Sequence, residues 1–164
     1  MNMPKYSQIE YERRWLVKQA PAGLTSQPHR LIEDKYLSCG RLRLRKITHS
    51  DSDKTEFKLC KKYGAVSSSA EPITNIYLSE QEYAALINLD GHTLSKKRHR
   101  VVIGSNTFSL DVFSDSNALS ICEIEAESAE ALERIPAPPY AEKEITGLKE
   151  WTGASLAKSF SART

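Results

Sequence analysis

The chain has 164 residues, about the size of one domain and long enough to bury a core without disulfides or a structural metal. Hydrophobic residues make up 40% and charged residues 27%, no apolar run nears the ~20 residues of a membrane helix, and Met1 to Ser7 lack the apolar stretch of a secretory leader, so a soluble globular protein is expected. The net charge is only +2, with basic residues gathered in short segments, which argues against a nucleic-acid binder; Cys39, Cys60 and Cys122 form neither a C-x-x-C pair nor an even set, which points away from disulfides and zinc and toward a cytoplasmic setting.

Taken in order, alternation over Ile9 to Lys18 predicts a strand, and Ala20-Pro21-Ala22-Gly23 breaks it. His29 to Leu37 predicts a second strand. After Cys39-Gly40 comes Arg41-Leu42-Arg43-Leu44-Arg45, a strict basic–apolar alternation, and then a polar loop from Thr48 to Lys54. Thr55 to Lys62 is a further strand, Tyr63 to Pro72 a loose Ser- and Ala-rich segment, and Ile73 to Leu78 the next strand. Ser79-Glu80-Gln81-Glu82 matches a capping box and predicts a helix to about Leu89. Leu94 to Ile103 and Thr107 to Phe113 read as a hairpin across Gly104-Ser105-Asn106. A strand over Leu119 to Ala126, a helix over Ser128 to Arg134, a short strand over Lys143 to Ile145 and a helical turn over Leu156 to Phe160 complete the chain. The sum is about eight strands and two or three short helices in one domain, residues 1–164.

The polar faces of these strands are sorted by sign. With a period of two, Arg41, Arg43 and Arg45 share one face, as do Lys96, Arg98 and Arg100. Glu10, Glu12 and Arg14 share another, Glu123 and Glu125 another, and Lys58, Cys60 and Lys62 another. Asp111 lies on the polar side of its strand. Each face alone fits the solvated side of an antiparallel sandwich. Together they do not, because like charges on one strand face repel unless anions compensate them. A closed or nearly closed barrel with its charged faces inward is consistent with all of them. Arginine forks then suit phosphate oxygens, and carboxylates suit Mg²⁺ or Mn²⁺.

At this point Ile9-Glu10-Tyr11-Glu12-Arg13-Arg14 resembles the N-terminal E-x-E-x-K pattern of the CYTH domain, the triphosphate tunnel metalloenzymes. The Arg41–Arg45 strand, Lys96-Lys97-Arg98-His99, Leu110-Asp111-Val112-Phe113, Glu123-Ile124-Glu125 and the stretch from Glu144 to Ala157 resemble that family's later segments in the same order. The resemblance implies an α+β fold, mainly antiparallel, with an eight-stranded closed tunnel and a few short flanking helices. It implies hydrolysis of a triphosphate, inorganic triphosphate being the expected substrate, with class IV adenylyl cyclisation or non-catalytic polyphosphate binding as alternatives. The implied metal set is Glu10, Glu12, Asp111, Glu123 and Glu125, holding Mg²⁺ or Mn²⁺. The implied phosphate ligands are Arg14, Arg41, Arg43, Arg45, Lys58, Lys62, Lys96 and Arg98, and the catalytic group is Glu10, Glu12 and Arg14. No membrane or nucleic-acid partner is expected, and a homodimer is left open.

Two departures from the pattern stand out. Arg14 replaces the lysine, and arginine keeps its proton, so this position can bind an oxyanion but not accept a proton. The strand before the first helix, Ile73 to Leu78, carries no acid, with Asn75 in its place. His29, His49, His92 and His99 have no ligand spacing and read as surface or loop residues. Cys60 reads as a small packing residue facing the tunnel, and Lys149 as either a surface lysine or a reach toward the tunnel mouth.

Overall fold

The computed structural model describes residues 3–114 and 119–162; the first two residues of the N-terminal reading, Met1 and Asn2, lie outside this range. Nine strands form one antiparallel sheet: β1 (Gln8–Val17), β2 (His29–Leu37), β3 (Leu42–His49), β4 (Thr55–Lys62), β5 (Ala70–Leu78), β6 (Gly91–Ile103), β7 (Asn106–Phe113), β8 (Ser120–Ala126) and β9 (Ala141–Glu144). The order is β5-β4-β3-β2-β6-β7-β8-β1-β9, and pairing of β1 with β5 closes eight of the strands into a barrel. The two neighbours share one edge of β1, with β5 on Gln8 to Tyr11 and β9 on Trp15 to Val17. Closure removes the free edges that an open sheet of this size would expose.

Three short helices flank the barrel: α1 (Glu80–Leu86), α2 (Ala129–Glu133) and α3 (Gly153–Ser161). The capping box at α1 forms as expected: Glu82 N donates to Ser79 Oγ at 3.2 Å, and Ser79 N donates to Glu82 Oε2 at 2.7 Å. The β6–β7 hairpin turns in two residues, with Gly104 at φ 59°, a left-handed value that glycine adopts without strain. Among the described residues no helix is long and apolar enough to cross a membrane.

The apolar core leaves the middle of the barrel's interior to charged groups. One cluster lies on the outer face, where Trp15, Val17, Phe108, Leu110, Cys122 and Ile124 pack under Leu24 and under Leu132 of α2. A second closes one end of the barrel: Leu94, Phe113 and Ile121 meet Ile145, Leu156 and Ala157, the last two from α3. Fully burying side chains of this size contributes roughly 1.5–3 kcal/mol each, so these clusters leave the barrel wall free to carry charge on its inner face.

Several expected boundaries move. Strand β3 runs on to His49, where a polar loop was expected from Thr48, and β6 begins at Gly91. The predicted turn at Leu156 to Phe160 is a full helix whose N-cap, Thr152, accepts from Ser155 N through its Oγ1. The largest change is in β5, which starts at Ala70 and so brings Glu71 into the barrel wall. The supposedly acid-free strand therefore has its acid, two repeats of the pleat before Asn75, and Asn75 is exposed.

Candidate active site

Regular antiparallel pairing carries the charged faces around the lumen. Arg14 lies opposite Glu123, Arg45 opposite both Asp34 and Lys58, Arg43 opposite Cys60, and Arg98 opposite both Asp111 and Arg30. The interior is thus a set of cations and carboxylates in contact, as like charges sharing a low-dielectric space require.

Four carboxylates act as braces for cations. Asp34, with no exposed side-chain surface, accepts from Arg45 Nε at 2.7 Å and Nη2 at 2.8 Å, and Arg43 Nε lies 3.8 Å away. Burial acts to raise the Asp34 pKa, but Arg45 and Arg43 outweigh it and bring it to about 2. Asp111 is equally buried and accepts from Arg98 Nε at 2.7 Å, Arg98 Nη2 at 2.8 Å and Lys96 Nζ. Burial opposes its ionisation, yet Arg98 and Lys96 hold the carboxyl well below the usual range. Glu71 and Glu10 share Lys62, whose Nζ donates to them at 3.1 and 3.0 Å. The charges of Glu10, Glu12 and Glu71 raise the pKa of Lys62 despite its burial, so it stays a cation.

A different group lies between β1 and β8. Glu12, Glu123 and Glu125 each offer an oxygen within 4.8 Å of the others. Arg14 Nε is 3.6 Å from Glu12 and 3.7 Å from Glu123, and Arg98 also pairs with Glu123. Even so, burial and then the charge of Glu123 push the Glu12 carboxyl up to about 7. Burial, Glu10 and Glu123 raise Glu125 as well. This donor set is rich in hard oxygens and short of positive charge, which is the environment a divalent cation fits. Nε of Arg14 and of Arg43 are buried with no hydrogen-bond partner among the described residues, and both suit an oxyanion.

The five carboxylates expected as a metal set therefore divide. Glu12, Glu123 and Glu125 come together; Glu10 is held by Lys62, and Asp111 by Lys96 and Arg98. Of the expected phosphate ligands, Arg14, Arg43, Arg45, Lys62, Lys96 and Arg98 line the lumen in contact with its carboxylates, and Lys58 lies 4.7 Å over the ring of Tyr77. Arg41 is not among them: it precedes β3, is exposed, and packs against Gly64. Lys149 is an exposed residue of the 3₁₀ turn Lys149–Trp151. His99, expected at the surface, is buried in β6, with its ring 5.3 Å from that of His29, and all four histidines lie in strands.

Four contributors went unrecognised in the sequence: Asp34, Glu71, Tyr36 and the entry to α3. Asp34 was accessible from the two-residue period of β2, which places it with Arg30, Ile32 and Tyr36 on one face. The helix contact was not. Arg14 Nη1 donates to the carbonyl of Trp151 at 2.8 Å, and the Tyr36 hydroxyl stands against Gly153 at the start of α3.

No model of a known protein family matches the sequence, and no curated protein matches it. Solved structures do. The inorganic triphosphatase NE1496 superposes with a TM-score of 0.58 at 22% identity, over 90% of this chain and 93% of that one. The protein PH1819 from Pyrococcus horikoshii OT3 superposes with a TM-score of 0.65 at 16% identity, over 94% and 99%. A candidate adenylate cyclase from Bacillus halodurans superposes with a TM-score of 0.50 at 20% identity, over 78% and 86%. At these identities the likeness is one of fold, and that fold is the closed tunnel the sequence resemblance implied.

Proposed function

We propose that this chain is a divalent-metal-dependent hydrolase of inorganic triphosphate. The observation that carries the reading is the division of the lumen: Arg14, Arg43, Arg45, Lys96 and Arg98 form a cationic lining, and it faces the carboxylate trio Glu12, Glu123 and Glu125. The fold shared with the inorganic triphosphatase NE1496 supports it.

The lining neutralises the phosphate chain. Arginine is suited to this because its planar fork meets two oxygens at once and keeps its charge when buried. Asp34 and Asp111 hold the guanidinium groups of Arg45 and Arg98 in fixed rotamers, so little order has to be imposed when substrate enters. Arg14 stays a cation, because burial is outweighed by Glu12 and Glu123; it binds and orients an oxyanion and does not move a proton. The α3 plug excludes water from one end of the lumen, which strengthens each of these contacts. Glu12, Glu123 and Glu125 would hold Mg²⁺ or Mn²⁺, which when bound supplies charge neutralisation for phosphoryl transfer to water.

The test is a panel of inorganic triphosphate, thiamine triphosphate and ATP with Mg²⁺ and Mn²⁺ in turn. Phosphate release from inorganic triphosphate, lost in EDTA, is the expected result. Cyclic AMP and pyrophosphate from ATP would replace this reading with a cyclase, and tight binding without turnover would replace it with a polyphosphate-binding protein.

A further inference from the structure

We propose that the mouth of the barrel opposite α3 contains an outer anion site, built by Arg30 and Arg100, that takes the phosphate groups of a linear polyphosphate beyond the third. The inference rests on the triphosphate reading of the lumen and extends it outward.

Most cations inside the barrel have a carboxylate in contact: Arg43 and Arg45 have Asp34, Lys96 and Arg98 have Asp111, Arg14 has Glu12 and Glu123, Lys58 has Glu56, and Lys62 has Glu10 and Glu71. Arg30 and Arg100 break the rule. Both continue inward faces, Arg30 two residues before Ile32 and Arg100 two residues after Arg98, and no ion pair is recorded for either among the described residues. Arg100 Nη2 donates to the Thr107 hydroxyl at 3.3 Å.

These two arginines border a cavity of about 400 Å³ that Arg98, His49, His99 and Asp51 also line. Arg98 belongs to the inner lining as well, through Asp111 and Glu123, so the cavity borders the phosphate path at this residue. Along β6, Lys96, Arg98 and Arg100 recur at about 6.7 Å, one inward side chain per two residues. Arg30 stands beside Arg98 as its register partner on β2. Asp51 is the only acid among the described residues that line the cavity, and Glu56 is engaged by His49 and Lys54. His99 is 3% exposed, and its Nδ1 is buried without a hydrogen-bond partner among the described residues. Among the described residues the lining holds no Leu, Ile, Val, Phe, Tyr or Trp, and its only rings are the imidazoles of His29, His49 and His99. Two arginines without a carboxylate and so little apolar surface fit a fourth phosphate better than an organic group.

The test is calorimetric binding of sodium triphosphate, sodium tetraphosphate and thiamine triphosphate, each in EDTA and in Mg²⁺, with wild type and the Arg30→Ala, Arg100→Ala double variant. Wild type should bind tetraphosphate about tenfold more tightly than triphosphate, the worth of one added charge-assisted contact. The double variant should lose that step while its triphosphate affinity stays within about twofold, because neither arginine forms an ion pair or hydrogen bond with an inner-lining residue among the described residues. Equal affinities in wild type, or a variant that weakens both ligands by the same factor, would overturn the outer site. Hydrolysis is assayed separately. Its absence alongside an intact chain-length step would overturn the hydrolase reading and leave the outer site standing.

Discussion

Arg45 and Asp34 form a two-pronged pair inside the barrel, Nε to Oδ1 at 2.7 Å and Nη2 to Oδ2 at 2.8 Å, and the carboxylate has no exposed surface. Such a pair is costly to break from one side, because the surviving charge stays buried. Asp34→Asn should therefore lower stability by about 3 kcal/mol. It should also loosen Arg43 and Arg45 and raise KM for triphosphate more than it lowers kcat. Urea denaturation and steady-state kinetics check both parts; an unchanged midpoint would show that the pair does not brace the wall.

The same pair sets an acid limit. The Asp34 carboxyl is depressed to about 2 in the folded protein, against 3.8 for the group in its ordinary state. A depressed carboxyl stabilises the fold above the unfolded value, and that contribution is lost as pH falls through the folded one. The expected loss is about 2 kcal/mol between roughly pH 4 and pH 2. Asp111 is held lower still, so its contribution is lost across the same window and continues to be lost below it. Thermal melts from pH 7 down to pH 2 measure it, and Asp34→Asn should make the fall between roughly pH 4 and pH 2 shallower without abolishing it.

Much of this architecture was visible in the alternation of Arg43 with Arg45, Lys96 with Arg98, and Glu123 with Glu125, since a period of two dictates which side chains share a wall. The alternation does not say which carboxylate meets which cation. That depends on register between strands distant in sequence, and it is register that pairs Asp111 with Arg98 and sets Glu12 opposite Glu125. Glu71 was hidden because Pro72 argues against a strand and the preceding residues are Ser- and Ala-rich; β5 admits the proline two residues from its start. Helix α3 was read as a single turn because its apolar pair, Leu156 and Ala157, is too short to show a helical period, and its length comes from packing on β6 and β2.

Gly153 is predicted to be intolerant of a side chain although it begins a helix, where alanine is ordinarily preferred. A Cβ there would lie 1.8 Å from the Tyr36 hydroxyl, so the ring would have to move. Tyr36 in turn is the register partner of Arg43 on the neighbouring strand. Gly153→Ala should cost about 1–3 kcal/mol and weaken triphosphate binding through Arg43. Adding Tyr36→Phe should restore part of the stability, by removing the clashing oxygen, and none of the affinity. Melting temperatures and calorimetric titration of both variants separate the two effects; recovery of both together would mean that Arg43 is positioned without Tyr36.

The carboxylate trio makes opposite predictions for stability and turnover. Glu12 is crowded by Glu123 and by burial, so its negative charge opposes folding when no cation is bound. Replacing it with the isosteric neutral amide removes that repulsion and removes one hard oxygen ligand. Glu12→Gln should thus melt no lower than wild type in EDTA, while wild type alone gains several degrees on addition of Mg²⁺ or Mn²⁺, as binding to the native state requires. Triphosphate hydrolysis should fall by at least about a hundredfold, the scale on which a lost metal ligand or its support is felt. Arg100→Ala, at the mouth, should keep the metal-linked shift intact. If Glu12→Gln retained both the thermal shift and metal-dependent turnover, the trio would not be the cation site, and the surplus of negative charge between β1 and β8 would have to be balanced by substrate-borne cations instead.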